Sequence, residues 1–118
     1  MAGYGLFVGF GWPVRGREQK AVLVFNEFVE FLSGLQAEGT IESFEPVFLE
    51  PHGGDLGGFF LLRGDRDAIA RLRVSDELDR LATRAQLIVE NFGIVGSQHG
   101  ERIAAEMQIF QESAAELA

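Results

Sequence analysis

A chain of 118 residues with no cysteine and a net charge of −8 is long enough to bury one core unaided, and it excludes a disulfide framework, thiol catalysis and cysteine zinc sites. Its single lysine, Lys20, and nine arginines are scattered rather than gathered in a stripe, so a phosphate backbone is repelled and nucleic acid is not an expected partner. Eleven phenylalanines against one tyrosine and one tryptophan exceed what so small a core usually needs, and point to an apolar pocket or a partner surface.

The first fourteen residues, MAGYGLFVGFGWPV, carry no side-chain charge. They lack the basic start of a signal peptide and fall short of a membrane span, so the expected location is the cytoplasm, with no membrane partner. Within them, residues 4–12 alternate strictly: Tyr4, Leu6, Val8, Phe10 and Trp12 on one face, Gly5, Phe7, Gly9 and Gly11 on the other. Period two predicts a strand. From Arg17 to Gln36 the apolar residues Ala21, Val24, Phe25, Phe28, Phe31, Leu32 and Leu35 recur at helical spacing, with Gly39 as the stop. Val22 and Val29 fall outside that stripe and widen the apolar arc beyond one sheet contact.

Residues 41–51 alternate again, and Pro46 marks an edge strand or a bulge because proline donates no ladder hydrogen bond. Residues 56–64, LGGFFLLRG, are apolar on both parities and read as an interior strand covered on both faces. The intervening PHGGD supplies turn residues. A helical region from Asp65 to Arg84 breaks at Ser75, a candidate N-cap, and Asp65 is placed to cap its first piece. Residues 87–98 read as a fourth strand with bulges at Gly93 and Gly96. Ile103, Met107, Phe110, Ala114 and Leu117 then define a C-terminal helix, with Ser97 or His99 near its cap.

The order strand, helix, strand, strand, helix, strand, helix is that of a ferredoxin-like βαββαβ unit, an α+β fold with a four-stranded antiparallel sheet plus a C-terminal helix, forming a single domain over residues 1–118. Helices cover one face of such a sheet. FFLL at 59–62 requires cover on the other, and a second copy of the chain is the simplest one. From YGLFVGFGW through ESFEPVFLEPHGGDLGGFFLLRGD to LIVENFGIVG, the sequence resembles the dimeric α+β barrel superfamily, and most closely its uncharacterised bacterial members. The resemblance implies a homodimer packed sheet to sheet. It implies no particular chemistry, because that fold carries monooxygenases, isomerases, haem enzymes and proteins without known activity.

PHGGDLGG is neither a P-loop nor a dinucleotide fingerprint, since no Gly-Lys-Ser/Thr follows and it leads into a strand. The topology brings Trp12, Arg15, Arg17, His52, Asp55, Glu90 and Asn91 to one end of the sheet. His52 and Asp55 are the candidate catalytic pair for acid-base work, weighed against a plain turn histidine; Trp12, Arg15 and Phe7 are the candidate ligand contacts. His99 belongs at the opposite end, so no metal site is expected, and nothing calls for a cofactor. Arg-Gly-Asp at 63–65 reads as a strand end followed by a helix cap. Gly5, Gly9 and Gly11 either admit a close-packed helix or floor a pocket between sheet and helices. Three functions follow in order: a small homodimer binding or transforming a small apolar or aromatic molecule in a Phe-rich pocket, a non-catalytic interaction or structural homodimer, and, remotely, an acylphosphatase-like hydrolase using the loop GWPVRGR.

Overall fold

A computed structural model describes residues 3–118; the first two residues of the uncharged N-terminal stretch lie outside the described residues. The chain runs β1 (Tyr4–Phe10), α1 (Glu18–Ala37), β2 (Ser43–Phe48), β3 (Gly58–Gly64), α2 (Arg66–Arg73), α3 (Asp76–Gln86), β4 (Gly93–Gln98) and α4 (Glu101–Glu116). The four strands form one antiparallel sheet in the order β2-β3-β1-β4. Pro46 therefore sits on an edge strand, in unbroken register opposite Phe60, where its missing N–H removes no interior bond. No described helix is long and apolar enough to cross a membrane.

Alternation sorts the strands into two faces. Leu6, Val8, Phe60 and Leu62 point to the helices and are at most 2% exposed. They meet Ala21, Val24, Phe28 and Leu32 of α1, whose three- and four-residue spacing makes one stripe. Ile69 and Leu72 of α2 and Leu78 and Ala85 of α3 complete this core. Residues of the other parity, Gly5, Phe7 and Gly9 of β1, Phe59, Leu61 and Arg63 of β3, and Val95 and Ser97 of β4, share the face that no helix covers. Gly5 and Gly9 thus neither admit a helix nor floor a pocket beneath one, and of the three glycines Gly11 alone lines the cavity described below.

Side-chain caps set the helix boundaries. Asp65 Oδ1 accepts from the Ala68 N–H at 2.9 Å and opens α2. The Ser75 hydroxyl donates to the Leu72 carbonyl at 2.8 Å and accepts from the Leu78 N–H at 3.3 Å, so one oxygen closes α2 and opens α3. α3 is tied to α1 by Arg84, which donates to both carboxylate oxygens of Glu27 at 3.0 and 2.9 Å.

Four expectations are corrected. The fourth strand begins at Gly93, not at residue 87. Leu87 caps α3, Ile88 is buried, Val89 makes a lone bridge to Pro13, and Asn91 turns the chain at a φ of 55° before pairing begins. Asparagine tolerates that left-handed geometry through its short polar side chain. Gly93 and Gly96 mark no bulge, because β4 pairs residue for residue with β1. The cap of α4 is Gly100, at a φ of 54°, with no side-chain cap bond from Ser97 or His99. The second strand is also shorter than residues 41–51: Ile41 turns into the core at 2% exposure.

Candidate functional site

At the end of the sheet where β1 finishes, three stretches of backbone are stitched together. The Gly57 N–H donates to the Phe10 carbonyl at 2.8 Å, the Gly11 N–H to Glu90 at 2.7 Å, and the Glu90 N–H to Trp12 at 2.9 Å. This frame holds open a cavity of about 520 Å³ between α1 and the sheet. Seven aromatic side chains line it: Phe10, Trp12, Phe25, Phe28, Phe48, Phe60 and Phe92. Phe25 is the hub, with ring centroids 5.1 Å from both Phe48 and Phe60 and 6.2 Å from Phe10. Ala21 on α1 and Ala85 on α3 also line the space. Small residues among large ones are what leave it unfilled.

Glu18 is the one charged residue in the lining. Its Oε2 accepts from the Gly16 N–H at 3.3 Å. That bond bears on the loop between β1 and α1: the Val14 N–H donates to Ile88 and the Arg17 N–H to Val14. With the backbone donors of residues 14, 16 and 17 committed within the protein, and a carboxylate seated on one of them, the loop offers no phosphate cradle. The geometry opposes the acylphosphatase-like reading.

The sequence-predicted residues divide. Trp12 lies at the cavity wall and is 46% exposed. Arg15 and Asp55 are exposed and outside the lining. Phe7 is on the opposite face of the sheet, with its ring centroid 4.9 Å from that of Phe59. His52 serves its own turn: Nε2 is 2.7 Å from the Leu56 carbonyl and Nδ1 accepts from the Gly54 N–H at 3.2 Å. Because a carbonyl only accepts, Nε2 carries the proton. The imidazole lies over Gly54, where a Cβ would come within 2.7 Å of its Cε1, and Gly53 turns the chain at a φ of 85°. Among the described residues no ion pair or side-chain hydrogen bond joins the ring to a charged group, and backbone groups hold it.

His99 is at the other end, past β4, as the register of β1 with both neighbours requires. Its Nε2 is 2.8 Å from the Ser97 hydroxyl, and its pKa is held below the ordinary histidine value, first by burial and then by the Arg63 guanidinium. Among the described residues no three His, Asp or Glu side chains converge as a metal site would require.

Most of the cavity residues, Phe25, Phe28, Phe48 and Phe92 above all, were not singled out by sequence reasoning. The usable signal was the combination of excess phenylalanine with the wide apolar arc of α1, where Val22 also reaches the lining.

No family model matches the chain, and no curated protein matches it. Solved structures do. A dimeric ferredoxin-like protein of unknown function from Jannaschia sp. is 18% identical, with 83% of this chain and 99% of that one covered and a TM-score of 0.60. A dimeric protein of unknown function and ferredoxin-like fold from Bacteroides fragilis is 13% identical, with 81% and 96% covered and a TM-score of 0.57. A hypothetical protein of Arabidopsis thaliana is 10% identical, with 86% and 91% covered and a TM-score of 0.64. Together with the strand order, these likenesses show that the chain has the ferredoxin-like α+β fold.

Proposed function

We propose that this protein is a homodimer, paired through the open faces of its sheets, in which each chain binds a small apolar or aromatic molecule between α1 and the sheet. The observation that carries the binding reading is the 520 Å³ cavity, walled by seven aromatic rings and one carboxylate. Its volume falls within the range of small-molecule sites, roughly 300–1,000 Å³, and its lining is what an apolar ligand needs. Glu18 disfavours a carboxylate or phosphate on that ligand and favours a neutral or cationic one. The lining holds no histidine, serine, threonine or lysine. Binding without chemistry is therefore the reading we favour over catalysis, and His52 and Asp55 have no part in it. The dimer is supported by Phe7, Phe59, Leu61 and Val95 on the uncovered face, and by the dimeric proteins from Bacteroides fragilis and Jannaschia sp. that share the fold.

Trp12 is the only tryptophan, so its fluorescence reports on the cavity directly. Titration with 1-naphthol should quench it saturably, and Ala21→Phe, which puts a ring into the space, should abolish the quench while the far-UV circular dichroism stays the same. Wild-type fluorescence that changes only linearly with 1-naphthol, or a filled variant that binds as well as wild type, would refute the reading.

A further inference from the structure

We infer that α4 is an arm that packs on a second copy of this chain, with Ile103, Met107 and Phe110 as its contact face. The inference rests on the homodimer reading above and adds a surface to it.

None of the sixteen residues of α4 is buried, and Ile103, Met107 and Phe110, one stripe at helical spacing, are 53%, 51% and 67% exposed. Among the described residues, the contacts that moor the helix to its own chain lie near its start. Arg102 lies over the Tyr4 ring at 5.3 Å, the Arg102 N–H donates to the His99 carbonyl, and the Gln98 amide donates to Glu106 at 3.0 Å. The radius of gyration is 16.3 Å, whereas a compact chain of this length has one of about 13.5 Å. In proteins most helical stability comes from packing an apolar face, and this helix has neither a buried face nor a side-chain cap at Gly100. Its apolar stripe is left uncovered by the described residues of its own chain.

The root of α4 tells which cover. A Cβ on Gly3 would meet Arg102, and one on Gly5 would meet His99 and Ser97. Gly3 and Gly5 share parity with Phe7, so the arm leaves from the uncovered side of the sheet. Interface area points the same way. Four strands of six or seven residues span about 400 Å² at 4.8 Å between strands and 3.3 Å per residue. A stable interface buries roughly 800 Å² on each partner. So small a sheet face alone falls short of that area, and α4, rooted at its margin, continues the face with a further apolar stripe.

The test uses the full chain with Phe110 replaced by the photo-crosslinking residue p-benzoylphenylalanine, irradiated at micromolar concentration and resolved on a denaturing gel. A covalent dimer, with the crosslinked peptides mapping between chains, is the expected result. A crosslink within one chain, or no crosslink, overturns the arm. In parallel, Met107→Asp with Phe110→Asp should weaken the dimer at least tenfold by sedimentation equilibrium; an unchanged dissociation constant overturns it as well. A wild-type chain that sediments as a monomer would instead defeat the dimer reading itself. A wild-type dimer with a silent α4 would defeat only the arm.

Discussion

Leu61 and Leu62 are neighbours on β3 with the same side chain and opposite fates. Leu62 faces α1 and is fully buried, while Leu61 faces the side of the sheet that no helix covers and is only partly so. The same division runs through Phe59 and Phe60, and through Phe7 and Val8. An apolar run on both parities calls for two covers, and among the described residues the helices supply one. The covered face is closed by α1, α2 and α3, except where Ala21 and Ala85 leave the aromatic cavity. On the open face, glycines at 5, 9 and 93 alternate with partly exposed apolar residues, a flat surface suited to another sheet rather than to helix ridges.

The largest test of this division is at Leu62. Leu62→Ala removes a fully buried side chain, and it should cost about 2–5 kcal/mol by urea denaturation at any protein concentration. Leu61→Ala should behave differently. Its cost should appear mainly at micromolar concentration and above, as a dissociation constant raised tenfold or more by sedimentation equilibrium. If both variants lose the same stability regardless of concentration, the two faces are equivalent and the open one has no partner.

Ser75→Ala should sharpen the comparison from the covered side. The hydroxyl closes α2 and caps α3, so its removal should cost about 1 kcal/mol, with the dimer dissociation constant and the 1-naphthol titration unmoved. A dissociation constant that shifts with this variant would mean that the helix layer and the open face are energetically linked.

How far these features were legible in the sequence depended on the range of the interaction behind them. The alternation of β1 and the stripe of α1 are written in the spacing of residues on one element, and the caps at Asp65 and Ser75 follow from the reach of a short polar side chain to an N–H three residues on. The start of β4 was not legible. Leu87, Ile88 and Val89 are apolar for a helix end, a core contact and a bridge to Pro13, three causes that together mimic a strand. A Phe-rich pocket was foreseeable from composition, but its position was hidden because it depends on what is missing at Ala21 and Ala85, residues 64 positions apart by their numbers. For His52 the turn reading and the chemical one were both open in the sequence, because a glycine turn does not announce that its own backbone will occupy both ring nitrogens.

The smallest expected effect lies at His99, where the open face meets the root of α4. Burial and the Arg63 guanidinium both disfavour the imidazolium, so the folded-state pKa lies below the ordinary value of about 6.5 that the unfolded chain retains. As pH falls, the unfolded chain therefore takes up this proton first. The contribution of His99 to stability is fully present above about pH 6.5 and is lost progressively as pH falls through the folded-state value. The wild-type urea midpoint should accordingly drop between pH 7.5 and pH 5, and His99→Gln, which cannot take up the proton, should drop by less. Comparing the two proteins cancels the background from the carboxylates, which titrate in both. Equal losses would mean that protonating His99 costs the fold nothing. The same pair of proteins, examined by sedimentation equilibrium at pH 5, separates two places where the charge can act. An imidazolium beside Arg63 should weaken the wild-type dimer more than the variant if the open face is buried against a second copy, and should leave both equal if that face meets only water.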